Sequence, residues 1–368
     1  MLWILGIIGL IGGGGWAFLT FNPQFGGKIT AALKERYARS SQWDGKQFNN
    51  ATETVMDINL SNMPGLLREQ LTNTKVRSPE QPIPILPFDS AWEELSPELP
   101  AFVWYGHSVC LLRLEGKWFL IDPMLGPDAA PIAPFASKRF SEQSLAVIEH
   151  LPSLEAVLMT HDHYDHLDYA SMKKLIPKVN RFVVSLGVGR HLEAWGVPAD
   201  QITELAWWED TEVSGIQITS TPSRHFSGRG PFDRGHGFWG GFAFRTLSHN
   251  IYWSGDGGYE SHFKEVGERL GPFDWGFMEC GQYNERWHAI HLYPEESVQA
   301  AKDAGVRMAI PVHWGGFALA LHTWQDPIER FTKAAKQEDL PMLSPPLGQT
   351  VILGSESSVS SDWWQSLS

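Results

Sequence analysis

Residues 160–168 read Thr-His-Asp-His-Tyr-Asp-His-Leu-Asp, three imidazoles and three carboxylates in nine positions, directly after the apolar run at 156–159. Imidazole nitrogen and carboxylate oxygen together are the donors of divalent transition-metal sites. His161 and His163 stand two residues apart, so in an extended segment they lie on one side of the chain and can grip one ion. Asp165 and His166 follow where the chain turns toward a helix and can face a second ion. Three more apolar runs end the same way: 216–222 leads to His225, 250–255 to Asp256, and 306–312 to His313. Four runs thus deliver metal-binding groups at their C-terminal ends, where a sheet edge can gather them. Five histidines and two aspartates suit zinc better than calcium or magnesium, with iron and manganese as alternatives.

The elements that must position these groups are short. Residues 102–123 read as two strands joined by a Glu115-Gly116 turn, and 155–160 as another. Residues 168–176 read as a helix with Asp168 as its N-cap. Further strands are expected at 181–186, 216–222, 241–247, 250–255, 275–280 and 306–312, and helices at 187–196 and 294–305. The last has Pro294 in its first turn, Glu295 and Glu296 beside it, and Gly305 as its stop. Strands outnumber interspersed helices, which indicates an α/β protein with sheets flanked by helices.

The totals agree with a large folded unit. Of 368 residues, 43% are hydrophobic and 19% charged, enough for a sizeable core. A net charge of −13 argues against a nucleic-acid partner. Cys110 and Cys280 fit no CxxC pattern, so no cysteine zinc site is indicated. The 17 tryptophans suggest thick aromatic packing or surfaces that meet lipid headgroups.

Residues 2–20 carry no charge, a run about as long as a bilayer crossing requires. No Lys or Arg precedes it and no small-residue cleavage site follows, which disfavours a signal peptide. Lys28, Lys34, Arg36 and Arg39 come next, opposed by Glu35. By the positive-inside rule, a single-pass membrane protein with its catalytic domain on the cytoplasmic side is expected. The expected organisation is a transmembrane anchor at 1–22, an extension at 23–100 strapping the main domain, a catalytic domain at 101–355, and a loose tail at 356–368.

The 160–168 motif with His225, Asp256 and His313 resembles the metallo-β-lactamase superfamily. A closer likeness, to N-acyl-phosphatidylethanolamine-hydrolysing phospholipase D and its bacterial relatives, is carried by WYGHSVCLL (104–112), FLIDP (119–123), PSRHF (222–226), SGDGGY (254–259), HLYPEESV (291–298) and HWGGF (313–317). NPQFGGK (22–28) and QWDGKQFNN (42–50) resemble the N-terminal part of that branch. The likeness implies an αββα sandwich with two zinc ions per chain. His161, His163 and His225 would hold the first ion, Asp165, His166 and His313 the second, and Asp256 would bridge them. It also places His291, outside the ligand set, near the substrate, where it could protonate the leaving oxygen.

Two cations about 3.5–4 Å apart can share a water, lower its pKa and brace the attacking and departing oxygens of a phosphodiester. Asp165, Asp256 and His291 are then the catalytic candidates, while Asp122 and His107 are candidates for orienting ligands. Tyr164 and Trp314 are candidates for the pocket wall or the core. The reading is a membrane-anchored zinc phosphodiesterase for N-acyl-phosphatidylethanolamine-type lipids, releasing phosphatidic acid and N-acylethanolamine. One alternative is a lactone or nucleotide-phosphodiester hydrolase on the same metal core. Another is a membrane-tethered binding or envelope protein with a structural metal site.

Overall fold

A computed structural model describes residues 2–57, 63–88, 95–130, 137–355 and 362–367. Its strands are β1 (Ala101–Trp104), β2 (Cys110–Leu114), β3 (Lys117–Ile121), β4 (Leu154–Met159), β5 (Phe182–Ser185), β6 (Ile202–Leu205), β7 (Asp210–Val213), β8 (Ile216–Thr221), β9 (Gly241–Arg245), β10 (Asn250–Trp253), β11 (Phe273–Glu279), β12 (Val306–Val312) and β13 (Thr350–Ile352). The helices are α1 (Leu2–Phe21), α2 (Ala31–Tyr37), α3 (Met63–Thr72), α4 (Tyr169–Leu175), α5 (Gly189–Ala194), α6 (His262–Leu270), α7 (Pro294–Asp303) and α8 (Asp326–Gln337).

Period-two alternation decides the layers. In β4, Ala156 and Leu158 face one apolar cluster while Val157 and Met159 face another. A strand buried on both faces must be covered twice. The outer cluster contains Met172 and Leu175 of α4 and Leu192 of α5. The inner one joins Phe102, Leu112, Phe119 and Leu158 to Phe242, Phe244, Trp253 and Phe277 of a second sheet. Phe102 meets Phe277 edge to face with ring centroids 4.9 Å apart. Each such buried side chain contributes about 1.5–3 kcal/mol, so the sandwich interior dominates the stability of the fold.

The first sheet runs β13-β1-β2-β3-β4-β5-β6 and the second β12-β11-β10-β9-β8-β7. Parallel pairing covers β3 to β6 in the first and β10 to β12 in the second. Helices α4 and α5 line the first sheet, while Val266 of α6, Val298 of α7 and Phe331 of α8 join the core cluster of the second. This is the expected αββα sandwich. The stretch read as two strands forms three, because Gly106 and His107 both have positive φ (84° and 54°) and reverse the chain between β1 and β2. The Glu115-Gly116 turn is as expected, with φ of 48° and 72° suiting a two-residue hairpin.

The membrane anchor is corrected. Residues 2–21 form a helix, but among the described residues no helix is long and apolar enough to cross a membrane. The side chains of 2–11 lie outside the described set. Four consecutive glycines of the helix, Gly12–Gly15, add no apolar side chain, and a β-carbon placed on any of them would meet no other part of the fold within 4 Å. The expected single-pass topology, membrane partner and cytoplasmic-side placement fall with the anchor.

After α1 the chain packs on the sandwich through Tyr37 and Phe48, which join Phe238 and Trp239 in a small aromatic core. Residues 356–361 and 368 of the expected tail lie outside the described residues. Over 362–367 the tail is not loose: Trp364 is buried and meets Trp314 edge to face at 5.9 Å.

Candidate metal centre

The C-terminal ends of β4, β8, β10 and β12 converge, as the run-then-ligand pattern requires. His161 and His163 follow β4, and His225 lies four residues past β8. His163 Nδ1 lies 2.9 Å from His161 Nε2 and 3.1 Å from His225 Nε2. The far sides of two of these rings are occupied: His225 Nδ1 meets the Ile290 carbonyl at 3.0 Å, and His161 Nδ1 meets Thr160 Oγ1 at 3.0 Å. Burial holds all three imidazoles neutral, His163 down to about 4 and the other two well below their ordinary value. Neutral rings whose outer nitrogens carry the proton present lone pairs inward. Three lone pairs at that spacing repel unless a cation sits among them.

A second group forms beside it. Asp165 Oδ2 is 2.9 Å from His107 Nε2, 3.3 Å from His313 Nε2 and 3.6 Å from His166 Nε2. Asp256 stands between the groups. Its Oδ2 is 3.0 Å from His166 Nε2 and His313 Nε2, and 4.0 Å from His161 Nε2 and His225 Nε2. All seven expected ligands are therefore brought together. Burial opposes charge on His166, but Asp256, Asp165 and Asp122 outweigh it and raise its pKa well above the ordinary value. His313 is likewise pushed up to about 10, against burial, chiefly by Asp256 and Asp165. Two carboxylates facing imidazole nitrogens, Asp256 buried and Asp165 partly so, demand positive charge at this point, which divalent ions would supply. Clusters of His, Asp and Glu able to hold one or two metal ions are present.

Supporting residues fix the rings. Asp122 Oδ1 accepts from Thr160 N (2.8 Å), and its Oδ2 faces Thr160 Oγ1 (2.7 Å) and His166 Nδ1 (2.9 Å). That contact turns His166 Nε2 toward Asp256, a carboxylate–histidine arrangement typical of metal sites. His107 reaches Asp165 directly and belongs to the second cluster. Trp314 is fully buried against Trp104 and belongs to the core. Tyr164 donates to the Arg229 carbonyl (2.8 Å) and does not line the pocket.

His291 lies beside the centre, its ring stacked on that of His313 with centroids 5.2 Å apart. Its Nδ1 pairs with Glu279 Oε1, while Gly257 N donates to Glu279 Oε2 at 2.7 Å. Burial raises the Glu279 pKa. Glu279 was not singled out from the sequence, although it ends β11 by the same run-then-ligand signal as the others. Asn50 was also missed. Its Nδ2 donates to the His225 carbonyl (2.8 Å) and its Oδ1 accepts from His225 N (3.1 Å), so the N-terminal extension pins a strand-end histidine. Asp162, inside the motif, does not face the centre. It holds Arg190 Nη2 and His191 Nε2, both at 3.0 Å, and Gly228 N at 2.7 Å, which braces the loop on both sides.

The pocket over the centre has a volume of about 350 Å³ and is lined by His163, Asp165, Asp256, His291 and His313, with Met56, Phe226, Trp287 and Leu319 as apolar wall. A roomier cavity of about 560 Å³ opens beside Tyr283 and Arg330. Its arginines are paired, Arg286 with Glu69 and Arg330 with Glu295, so the chemistry points to the smaller one.

Two sheets, flanking helices and a histidine–aspartate centre at the strand ends define the class, and comparison with known proteins agrees. Residues 117–314 match the model of the Beta-lactamase superfamily domain. The chain belongs to the metallo-β-lactamase superfamily and is a metal-dependent hydrolase. It is similar to an uncharacterized protein of Mycobacterium tuberculosis, 40% identical over 255 residues that cover 68% of each chain. It is also similar to the N-acyl-phosphatidylethanolamine-hydrolyzing phospholipase D 1 of Caenorhabditis elegans, 34% identical over 229 residues, 59% of this chain and 64% of that one. Among solved structures, a metallo hydrolase of Ignicoccus hospitalis shares the fold with a TM-score of 0.55 at 19% identity, covering 69% of this chain and 98% of that one.

Proposed function

We propose that the chain is a dinuclear zinc phosphodiesterase that hydrolyses N-acyl-phosphatidylethanolamine-type phospholipids to phosphatidic acid and N-acylethanolamine. The observation that carries the reading is the meeting of two donor groups at Asp256 Oδ2, within 4.0 Å of four imidazole nitrogens. His161, His163 and His225 would hold one ion, Asp165, His166 and His313 the other, and Asp256 would reach both. When bound, two zinc ions supply Lewis acidity toward phosphoryl oxygens and an acidified water.

The chain's own groups do the rest. Glu279 holds His291 by Nδ1, which leaves Nε2 as the nitrogen available to the substrate. His291 would give a proton to the departing oxygen as the bond from phosphorus to the N-acylethanolamine breaks. Phosphatidic acid keeps the oxygen taken from water. Met56, Phe226, Trp287 and Leu319 offer apolar surface suited to the hydrocarbon part of a lipid. The substrate class is supported by the activity that the nematode relative's name states.

The test is a hydrolysis screen with zinc-loaded protein and products identified by mass spectrometry. N-acyl-phosphatidylethanolamine should yield phosphatidic acid and N-acylethanolamine in stoichiometric amounts. Turnover of lactones or nucleotide phosphodiesters with the lipid left intact would overturn the substrate and keep the metal core.

A further inference from the structure

Among the described residues lining the pocket, Arg234 is the one guanidinium or ammonium group. It projects from a loop that is held in place by its neighbours. Asp233 accepts from Arg229 N (3.1 Å) and Gly230 N (2.7 Å), and Gly235 N donates to the Ser227 carbonyl (2.9 Å). Phe48 N, from the N-terminal extension, donates to the Gly235 carbonyl at 2.8 Å. The guanidinium carbon lies 3.8 Å from the centre of the Phe226 ring, and Phe226 in turn meets the His163 ring at 4.5 Å. A planar cation on an aromatic face loses little freedom when its edge then binds something.

That edge has no oxygen partner among the described residues. The contact recorded for it is Met56 Sδ at 3.7 Å from Nη2, a weak acceptor. Four arginines elsewhere in the fold are matched: Arg190 to Asp162, Arg286 to Glu69, Arg330 to Glu295, and Arg229 to the Asp162 and Leu167 carbonyls. An arginine needs no such placement to attract the metal, which it repels. Its position beside the centre is useful when an anion arrives between the two.

We infer that Arg234 forms an anion subsite that binds a phosphoryl oxygen of the substrate beside the metal centre. It is thereby a specificity residue for negatively charged over neutral esters. The identity of that anion as a phosphodiester rests on the function proposed above, whereas the preference for negative charge rests on Arg234 itself. The guanidinium fork offers two parallel N–H donors to a phosphoryl group, and charge-assisted pairs of this kind are about twice as strong as neutral ones.

The experiment compares zinc-loaded wild type, R234Q and R234K. Inorganic phosphate is titrated calorimetrically at low ionic strength, with zinc content measured on the same samples. R234Q should bind phosphate about tenfold more weakly, a change of about 1.4 kcal/mol, with zinc content retained. R234K, which keeps the charge and loses the fork, should fall between. The ratio of kcat/KM for bis(4-nitrophenyl) phosphate to that for 4-nitrophenyl acetate should drop by a similar factor in R234Q. Equal phosphate affinity in all three proteins, or an unchanged ratio, overturns the inference. Weakened phosphate binding in a protein that leaves N-acyl-phosphatidylethanolamine intact would remove the lipid reading and keep the subsite.

Discussion

Replacing Asp122 by Asn should weaken metal binding in the second half of the centre without unfolding the protein. The backbone there has φ of 42°, a left-handed conformation that Asn tolerates better than other replacements. Asn Oδ1 can still accept from Thr160 N, the partner at 2.8 Å. The other amide position now carries two hydrogens where Thr160 Oγ1 and His166 Nδ1 had an acceptor. Thr160 can rotate its hydroxyl to accept. His166 has no such escape: its proton must leave Nδ1, and the ring then turns an N–H toward Asp256 in place of a lone pair. Losing a partner of this kind costs about 10–100-fold in metal affinity, about 1.4–2.7 kcal/mol. Chelator-competition titration of zinc should show one site weakened by that factor, and circular dichroism should show the fold kept. Two zinc sites of unchanged affinity in the Asn variant would refute the assignment of His166 as a ligand and of Asp122 as the group that orients it.

Three other outcomes are expected. His291→Ala should keep the metal content but lower kcat/KM most for substrates with poor leaving groups; loss of metal, with all substrates damaged alike, would make His291 a ligand. Asn50→Ala removes both backbone contacts to His225 and should weaken zinc binding about tenfold, while Asn50→Asp, which keeps the acceptor, should lose less; equal affinities would leave Asn50 as simple packing. Burial holds His262 and His322 down to about 4, so between pH 6.5 and 4 the unfolded chain binds more protons and stability falls as pH drops, by up to about 3 kcal/mol for each. Urea midpoints at pH 7 and pH 5 check this, and a pH-independent midpoint would contradict it.

The centre was readable because its ligands sit at the ends of apolar runs, a local pattern that survives in one dimension. Asp168 was readable for the same reason, and its side chain caps α4 by accepting from Ser171 N at 2.7 Å. Glu279 carried the same signal, inside a strand expected at 275–280, and was not singled out. Asn50 carried none, since 175 residues separate it from His225 and tertiary contacts, among them the packing of Phe48 and Tyr37 on Phe238 and Trp239, bring the extension there. The hairpin at Gly106 and His107 was hidden because its reversal is a backbone event in a run that stays apolar on both sides. The N-terminal run misled for a related reason. Its length without charge was read as a membrane span, whereas among the described residues no helix is long and apolar enough to cross a membrane.

The most direct test of the account is the metal count of purified protein after exhaustive dialysis, read by plasma mass spectrometry beside hydrolase activity. Close to two zinc ions per chain are expected, with activity lost on chelation and restored by zinc, and with Asp165→Asn dropping toward one. Full hydrolase activity in a metal-free preparation, or a stoichiometry unmoved by Asp165→Asn, would contradict it.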